Sequence, residues 1–365
     1  MKNERILIAY FGRGLGGIQV KILDLLQILS QKEISTSLLI RRREQMFSSP
    51  MPKGVRLETL NLNASPLNSL QILLKTALYL NKLRPTQVII FADHTALIFL
   101  ILKKLLFWLN FKITISEDIY LSEYLKNQPY GIIRKGLVHH LYPSADKITV
   151  LSAKHKSDLV HKFGITPKKI FVYHNWLSPR WQKIKINPLS KRDIDLLFVG
   201  RLEKQKQLEV FIDIVNIIIK TKPYIKAVIL GDGTQKTKLG NMTKSLGLGH
   251  NISFLGYRKD PMSFYNRAKI FLLTSNYEGE PLVFLEAMGS ATPIITLPYL
   301  GIAPDVIIDG ETGYVTKNIN DTADRIQQLL DNKEKWNQLS HVSHQYLLKK
   351  YNDNLNKALR ILIDD

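Results

Sequence analysis

Two glutamates in a short segment, residues 275–289, have the type and spacing expected of a ligand-binding site. Glu278 precedes a predicted helix start, and Glu286 lies inside the apolar run that follows. Pro281 favours the first helical turn, so we expect a helix over 281–290 whose unpaired N–H groups would suit a phosphate. A buried carboxylate is costly unless a donor binds it, so either a core Arg or Lys or a pair of sugar hydroxyls is expected to contact Glu286.

Three glycine-containing motifs follow predicted strands in the same half of the chain. They are Phe198-Val-Gly-Arg-Leu with Lys206, Ile229-Leu-Gly-Asp-Gly, and Phe254-Leu-Gly-Tyr. Open α/β sheets bind ligands at the carboxyl ends of their strands, where Arg201 and Lys206 can neutralise a diphosphate. The alternatives are two surface cations at a helix start and, for Asp232, plain turn chemistry.

The order and spacing of these motifs resemble the signature of the retaining glycosyltransferases of the fourth sequence family, the glycosyl transferases group 1 type. The resemblance implies an α/β fold of the GT-B class, in which two doubly wound Rossmann-like domains face a cleft. It also implies that a sugar moves from a nucleotide-diphospho-sugar to a hydroxyl with retention of configuration. We favour a UDP-sugar over a GDP-sugar, and an acceptor that is a glycan or is lipid-linked. Surface polysaccharide, glycolipid or glycoprotein glycan synthesis is the expected setting.

The same resemblance assigns roles to individual residues. Arg201, Lys206 and the helix start at Pro281 would take the charge that develops on the departing phosphate, while Glu278 would hold the sugar hydroxyls and Glu286 the ribose. The predicted catalytic residues are Arg201, Lys206, Glu278 and Asp118. The predicted donor-binding residues are Gly16, Gly17, Gly200, Gly231, Tyr257, Arg258, Gly279, Glu280, Pro281, Leu282, Val283 and Glu286.

Three positions depart from the pattern that this family shows. Gln207 stands where many relatives have glycine, Glu280 where they often carry an aromatic or aliphatic residue, and Asp118 where many have a histidine. We expect the first to change only the entry to a helix. Asp93-His94 is a further cleft candidate, and a helix cap is the alternative role for Asp93.

A glycine-rich loop supports a competing function. Gly12-Arg-Gly-Leu-Gly-Gly follows the first predicted strand and matches the G-x-G-x-x-G pattern of dinucleotide-binding folds. The next strand ends in Ile40-Arg-Arg-Arg instead of the acidic residue that would hold the ribose of NAD. An NADP-dependent oxidoreductase is therefore the alternative enzyme, although it leaves the motifs of the second half unexplained. A catalytically inactive basic binding protein and a nucleic-acid binder are the non-enzymatic alternatives, and no recognised nucleic-acid motif supports the latter.

No metal or cofactor is predicted. Asp193-Ile-Asp195 is a D-x-D sequence, but it opens a strand and so lies at the wrong end of a sheet for this site. His139 and His140 lack the spacing of metal ligands. The chain contains no cysteine, which excludes disulfides, a thiol nucleophile and Cys-ligated metals.

The 365 residues and the 45% hydrophobic composition predict two domains. Short β-branched runs alternate with longer amphipathic ones, which is typical of parallel sheets. The predicted strands are 5–10, 37–41, 87–92, 112–116 and 147–151, then 195–199, 226–230, 252–255, 270–274 and 293–296. With a linker over 175–193, we expect an acceptor-binding domain at 1–182, a donor-binding domain at 183–347 and a helix at 348–365 that crosses back.

Positive charge is concentrated in the first half of the chain. Residues 1–185 carry a net charge of +17 and the remainder +3. Such asymmetry is typical of a face that meets phosphate, and a merely basic surface is the alternative. We expect a membrane or acceptor face formed by Arg41, Arg42, Arg43, Lys103 and Lys104 with the apolar run 97–111, unless that run is core.

The expected location follows from what the sequence lacks. The apolar run 96–111 is too short and too charged to span a membrane, and the N-terminus has no apolar leader. We therefore expect a cytoplasmic protein that is peripheral on the inner face of the membrane. Its expected partners are a nucleotide-sugar, a glycan or lipid-linked acceptor and an anionic membrane surface, and no nucleic acid.

Overall fold

The computed structural model describes residues 5–12, 16–43, 51–63, 68–126, 128–299, 306–351 and 353–363. Its contacts divide the chain into two units, Met1–His174 with Asn356–Asp365, and Asn175–Leu355. The expected boundaries at residues 182 and 347 lie a few residues inside the second unit. Each unit has its own hydrophobic core.

The first unit contains a parallel sheet of seven strands in the order β3-β2-β1-β4-β5-β6-β7. The strands are β1 Arg5–Tyr10, β2 Ser35–Ile40, β3 Arg56–Thr59, β4 Gln87–Phe91, β5 Lys112–Glu117, β6 Lys147–Val150 and β7 Ile170–Val172. The helices are α1 Gly17–Gln31, α2 Ser69–Leu83, α3 Asp93–Leu105, α4 Leu121–Lys126, α5 Gly131–Leu141 and α6 Ala153–Phe163. Helices on both faces bury the central strands, which is why strands such as Val88–Phe91 are apolar on both sides.

The second unit contains a parallel sheet of six strands in the order β10-β9-β8-β11-β12-β13. The strands are β8 Ile194–Val199, β9 Ala227–Leu230, β10 Ile252–Gly256, β11 Ala268–Leu273, β12 Ile294–Thr296 and β13 Gly313–Val315. The helices are α7 Leu208–Ile218, α8 Lys236–Ser245, α9 Met262–Arg267, α10 Leu282–Gly289, α11 Ile319–Asp331 and α12 Lys333–Tyr351. The last helix, α13 Asn354–Ile363, begins in the second unit and from Asn356 onward belongs to the first.

Short 3-10 turns connect several of these elements. They are Tyr142–Ser144, Pro167–Lys169, Pro179–Lys183, Leu189–Lys191, Lys204–Lys206 and Leu248–His250. Within the first unit, Gln87 Nε2 of β4 donates to Leu362 O at 2.7 Å and Lys147 Nζ of β6 donates to Ile361 O at 2.7 Å, which fixes the end of α13 to this sheet.

The strand order of each sheet reverses once, between β1 and β4 in the first unit and between β8 and β11 in the second. Open α/β sheets bind ligands beyond the carboxyl ends of the strands at such a switch point. In the second unit, the loops after β8 and β11 carry Lys206 and Glu278. The topology therefore brings two of the predicted catalytic residues to the same crevice.

All ten predicted strands exist, and three further strands were missed. The missed strands are β3, β7 and β13, each of which lies at the edge of its sheet. They have only three or four residues, and Phe171 and Val172 of β7 are 40% and 36% exposed. A short strand that is buried on one side lacks the continuous apolar run that marks a central parallel strand.

Candidate functional site

The loops after β8, β9 and β10 are held together by backbone hydrogen bonds. Gly200 N–H donates to Leu230 O at 3.0 Å, and Gly231 N–H donates to Gly256 O at 2.9 Å. Gly231 has a φ of +142°, and a Cβ atom at this position would lie 1.8 Å from the carbonyl oxygen of Gly200. Only glycine fits there, so the glycines of the motifs bring the loops close enough to form one surface.

The ion pair between Lys206 and Glu278 joins the two strand ends at the switch point. Lys206 Nζ lies 2.5 Å from Glu278 Oε1, and the two side chains are only 12% and 10% exposed. The supporting loops are fixed by two bonds, from Thr274 Oγ1 to Lys206 O at 2.9 Å and from Asn276 N–H to Gln205 O at 2.8 Å. Among the described residues, Glu278 Oε1 has a partner but Oε2 has none, so Oε2 can accept from a ligand hydroxyl.

Two further polar groups beside this pair have capacity for a ligand. Ser275, two residues after β11, is 1% exposed, and its hydroxyl has no hydrogen-bond partner in the described part of the chain. Arg201 is half-buried, and within the described ranges its guanidinium makes no ion pair. Buried polar groups in proteins are nearly always hydrogen-bonded, so the Ser275 hydroxyl indicates a site for a polar ligand, and the Arg201 guanidinium is available to an anionic one.

Helix α10 begins one residue later than expected. Pro281 is the N-cap, with φ −69° and ψ 118°, and the helix starts at Leu282. The first backbone bond of this turn runs from Phe284 N–H to Pro281 O at 3.0 Å. The N–H groups of Leu282 and Val283 therefore precede the intrahelical ladder, which is the arrangement that binds anions at helix starts.

Glu286 is 8% exposed and is bound by a residue that sequence reasoning missed. The hydroxyl of Tyr265, within α9, donates to Glu286 Oε2 at 3.0 Å. Burial and the neighbouring carboxylate raise the pKa of Tyr265 well above its usual value, so the tyrosine stays a neutral donor. The edge of Trp181 packs against the Tyr265 ring at 5.4 Å between centroids. No local sequence pattern points to the Tyr265–Glu286 pair, because its two members lie on different helices.

Glu280 also has partners within the second unit. Its Oε2 accepts from the backbone N–H of Asn175, and its Oε1 accepts from the Tyr351 hydroxyl at 3.1 Å. Gly279, just before it, is buried. Of the glutamates in this loop, Glu280 thus has both oxygens bound by the protein, whereas Glu278 has one.

The remaining candidates of this unit lie in the loops that follow β9 and β10. Tyr257 is half-buried, and burial raises its pKa while Arg180 acts in the opposite direction. Arg258 is exposed. Asp232 Oδ1 accepts from the N–H of Gly233 at 2.9 Å, which is the turn chemistry that the sequence analysis offered as its alternative role.

In the first unit, Asp118 belongs to a closed buried network. Lys21 Nζ donates to both carboxylate oxygens of Asp118 and to the Tyr173 hydroxyl, each at 2.9 Å. Ser116 Oγ donates to Asp118 Oδ1 at 3.1 Å. Burial lowers the pKa of Lys21, but Asp118 and Tyr173 outweigh it, so the pKa lies above its usual value and Lys21 is charged. The sequence analysis did not predict a role for Lys21, because an isolated lysine in a predicted helix usually indicates a surface residue.

Asp93 does not cap a helix. It is the first residue of α3, whose N-cap is Ala92, and it is 2% exposed. Its carboxylate pairs with the guanidinium of Arg134. Burial acts to raise the pKa of Asp93, but His94 and Arg134 outweigh it and hold the pKa below its usual value. The cap alternative is therefore wrong, and Asp93 is a buried ion-pair partner.

The glycine-rich loop lies partly outside the described residues, which omit positions 13–15. Gly16 is the N-cap of α1 in an extended conformation, and Gly17 is the first residue of the helix. Both follow β1, at the switch point of the first sheet. Their predicted contact with a donor stays a prediction.

The D-x-D sequence forms ion pairs at the amino end of β8. Asp193 binds Arg267 through both oxygens, and Asp195 Oδ1 lies 2.7 Å from Lys269 Nζ. No group of three or more His, Asp or Glu residues that could hold a metal occurs in the part of the chain that the structure describes.

The predicted basic face is only partly exposed. Arg41 is 7% exposed and Phe99 is fully buried, so neither can belong to it. Lys103 pairs with Asp146, and Arg42 donates to Asn63 Oδ1 at 2.8 Å. Arg43 and Lys104 are exposed. Phe107 and Trp108, after α3, are 84% and 59% exposed. Within the described ranges, no helix is long and apolar enough to cross a membrane.

The second unit matches a known family. Residues 179–345 match the model of the family described as glycosyl transferases group 1, a segment that contains every strand from β8 to β13 and the Lys206–Glu278 pair. The chain contains a glycosyl transferases group 1 domain. The resemblance drawn from the motifs is thereby confirmed.

Two relatives of the group 1 domain illustrate the similarity. The chain is 28% identical over 202 residues to N-acetylgalactosamine-N,N'-diacetylbacillosaminyl-diphospho-undecaprenol 4-alpha-N-acetylgalactosaminyltransferase of Campylobacter jejuni, covering 55% of this chain and 54% of the relative. It is 27% identical to the poly(ribitol-phosphate) alpha-N-acetylglucosaminyltransferase of Staphylococcus aureus, covering 58% and 43%. The chain thus spans about half the length of the curated relatives it matches.

Solved structures confirm the predicted α/β fold of the GT-B class. A TarM mutant of S. aureus, in complex with fondaparinux, alpha-GlcNAc-glycerol and UDP, has a TM-score of 0.79 at 15% identity, with 99% of this chain and 100% of that chain covered. Anabaena HepE in complex with UDP and glucose has a TM-score of 0.77 at 16% identity, with 98% of both chains covered. Because the match extends beyond residues 179–345, the fold of the first unit is included.

Proposed function

We propose that the protein is a retaining glycosyltransferase that moves a sugar from a nucleotide-diphospho-sugar to a hydroxyl of a glycan or lipid-linked acceptor. The observation that carries the proposal is the Lys206–Glu278 pair at the switch point, beside the open N–H groups that begin α10. A cation and a helix start stabilise phosphate, while a carboxylate oxygen without a partner suits a sugar hydroxyl.

Leaving-group stabilisation is the proposed source of catalysis. The guanidinium of Arg201, the ammonium of Lys206 and the N–H groups of Leu282 and Val283 would bind the diphosphate and stabilise the charge that develops on it. Glu278 Oε2 would orient the sugar, and Glu286, held by Tyr265, would bind the ribose. As the family resemblance implies, the departing phosphate would help to deprotonate the acceptor on the same face. We also propose that the transfer needs no metal.

The names of similar proteins support the donor and acceptor classes. Two of the solved structures contain UDP, which favours a UDP-sugar over a GDP-sugar. One relative is named for transfer to a diphospho-undecaprenol-linked sugar, and another is a capsular polysaccharide biosynthesis glycosyltransferase. We therefore propose a role in synthesis of a surface polysaccharide, glycolipid or glycoprotein glycan. An NADP-dependent oxidoreductase is not favoured, because it leaves the group 1 match unexplained.

A donor screen tests this function. A UDP-sugar at 100 times its dissociation constant should stabilise the protein by about 2.7 kcal/mol, which thermal unfolding detects. We expect stabilisation by UDP-sugars, weaker effects of GDP-sugars and none of NADP. Turnover of the stabilising donor should survive exhaustive chelation. Stabilisation by NADP alone, or strict dependence on a divalent ion, would contradict the proposal.

We also propose that the first unit meets an anionic membrane surface. Leu70, Leu74 and Leu78 form an exposed stripe on α2, at 65%, 56% and 70% exposure. Trp108 Nε1 donates to Asn81 Oδ1 at 3.2 Å, which brings the exposed pair Phe107–Trp108 to the end of the same helix. Exposed apolar side chains within a half of the chain that carries a net charge of +17 suit a surface of anionic lipid.

Co-sedimentation with vesicles of phosphatidylglycerol and phosphatidylcholine tests the membrane surface. We expect the wild type to pellet at low salt and the double variant Phe107→Ser/Trp108→Ser to stay in the supernatant. Tyr224→Ser is the matched control, because Tyr224 is 90% exposed but lies in the second unit. Equal binding of the double variant, or no binding of the wild type, would overturn this part of the proposal.

A further inference from the structure

Glu280 lies in the sequence between Glu278 and the start of α10, but its carboxylate is bound by residues that belong to neither. It is 4% exposed. Oε2 accepts from the N–H of Asn175, the first residue of the second unit. Oε1 accepts from the hydroxyl of Tyr351, the last residue of α12, at 3.1 Å. Both partners stand next to points where the chain passes between the units, at 174/175 and 355/356.

Two side-chain amides complete this network. Asn175 Nδ2 donates to the carbonyl oxygen of Glu280 at 2.6 Å, and Asn354 Nδ2 donates to the carbonyl oxygen of Asn175 at 2.9 Å. The backbone and the side chain of Glu280 are thus both fixed to Asn175. Hydrogen bonds to a carboxylate are stronger than hydrogen bonds between neutral groups, so these contacts hold Glu280 firmly in place.

We infer that Glu280 is a positioning residue that anchors the donor loop, residues 275–283, to the two segments connecting the units. The inference rests on the proposed function. Glu278 precedes the anchor by two residues, and the N–H groups of Leu282 and Val283 follow it. A shift of about 1 Å in such groups is enough to weaken ligand binding and catalysis, so the anchor controls donor affinity without touching the donor.

The contacts of Glu280 predict different effects for a conservative and for a disruptive substitution of this residue. In Glu280→Gln, the amide oxygen can accept from Asn175 N–H, and the amide nitrogen can donate to the Tyr351 hydroxyl, which accepts as well as donates. Glu280→Ala removes both bonds, from the N–H of Asn175 and from the Tyr351 hydroxyl. Tyr351→Phe removes the bond to Glu280 Oε1 and leaves the bond from Asn175 N–H to Oε2 in place. The donor loop should therefore stay in place in the Gln variant and loosen in the Ala variant.

Steady-state kinetics test this ranking. We expect Glu280→Ala to raise the KM for the donor about tenfold or more, Tyr351→Phe about threefold, and Glu280→Gln less than about threefold, with the acceptor KM unchanged. Ser340→Ala is the matched control. Ser340 lies on the same helix as Tyr351, and the change removes a buried hydrogen bond of 2.7 Å from Ser340 Oγ to Ala291 O. An unchanged donor KM in Glu280→Ala, or an equal rise in the control, would overturn the inference.

Hydrogen exchange without any ligand separates this inference from the proposed function. Peptides that cover 275–285 should exchange faster in Glu280→Ala than in the wild type, Glu280→Gln or Ser340→Ala. If the wild type uses no nucleotide-sugar, the proposed function fails, but the exchange comparison still decides whether Glu280 anchors the loop. Equal exchange in all four proteins would show that it does not.

Discussion

Each unit contains a lysine–carboxylate pair near the carboxyl ends of its sheet, and the two pairs differ in what they leave unbound. Lys21 is 2% exposed and binds both oxygens of Asp118 together with Tyr173, so the network is closed. Lys206 is 12% exposed and binds one oxygen of Glu278. A carboxylate whose two oxygens are both bound by the protein has a structural role, whereas a carboxylate with one unbound oxygen can accept a hydrogen bond from a ligand.

The difference between the two ion pairs follows from the elements in which their lysines lie. Lys21 lies within α1, and its buried ammonium group is bound by Asp118 and Tyr173, which directly follow β5 and β7. Lys206 lies in the turn Lys204–Lys206, within the group 1 match and beside the start of α10. We therefore expect changes at Lys21 to affect stability first, and changes at Lys206 to affect turnover first.

Breaking the closed pair should have the largest effect. Lys21→Met leaves the Asp118 carboxylate buried without its cation, which should lower the free energy of unfolding by about 3–5 kcal/mol. Urea or thermal unfolding measures the loss. A double change, Lys21→Met with Asp118→Leu, should recover part of it. An unchanged midpoint in the single variant would contradict the closed network.

Breaking the open site should reduce transfer at least about 100-fold, the scale of losing one transition-state donor. Arg201→Ala, Lys206→Ala and Glu278→Ala are each expected to show this loss in kcat/KM with little change in unfolding midpoint. Lys244→Ala is the control for lost positive charge, because Lys244 is an exposed cation of the same unit. Turnover close to the wild-type value in any of the three would remove that residue from the proposed site.

Acid should weaken the first unit through His155. Burial lowers its pKa from 6.5 to about 4, and its ring stacks on Tyr120 at 4.9 Å. The unfolded chain binds the proton more readily, so this contribution is complete above pH 6.5 and is lost as the pH falls towards 4. Between pH 6.5 and 5 the loss is about 1.5 kcal/mol. His155→Phe should flatten this part of the unfolding profile, and an unchanged slope would contradict the assignment.

Removing the support of Glu286 should have the smallest effect. Tyr265→Phe deletes a hydrogen bond to a charged group, so UDP should bind about tenfold more weakly, as calorimetric titration can measure. Tyr314→Phe, which removes a hydroxyl elsewhere in the same unit, should bind UDP normally. Equal affinity in Tyr265→Phe and wild type would mean that Tyr265 does not position Glu286 for the nucleotide.

The sequence predicted those parts of the site that depend on local pattern. Gly231, Lys206 and Glu278 follow central strands, whose apolar runs are easy to recognise, so strand ends and motifs located the crevice. Gln207, noted as a departure from glycine, adopts a φ of +46° at the entry to α7, in the left-handed region that glycine prefers. The expectation that this residue affects the helix entry thus has a physical basis.

The missed features depend on partners that are distant along the chain. Lys21 and Asp118 are 97 residues apart, and Asn175 and Glu280 are 105 apart. Nothing in the local pattern of either residue reveals such a pairing. Arg41 was placed on a surface because it begins a run of arginines, yet its position directly after β2 buries it. Tertiary packing decides these cases.

Calorimetric titration of UDP tests the central claim most directly, that the open loops of the second unit bind a nucleotide diphosphate through Arg201 and Lys206. The wild type should bind UDP, and Arg201→Ala/Lys206→Ala should bind it at least about 100-fold more weakly, since two charge-assisted contacts are lost. The control Arg42→Ala/Lys104→Ala removes the same charge from the first unit and should bind UDP like the wild type. Equal affinity of the wild type and Arg201→Ala/Lys206→Ala would contradict the account.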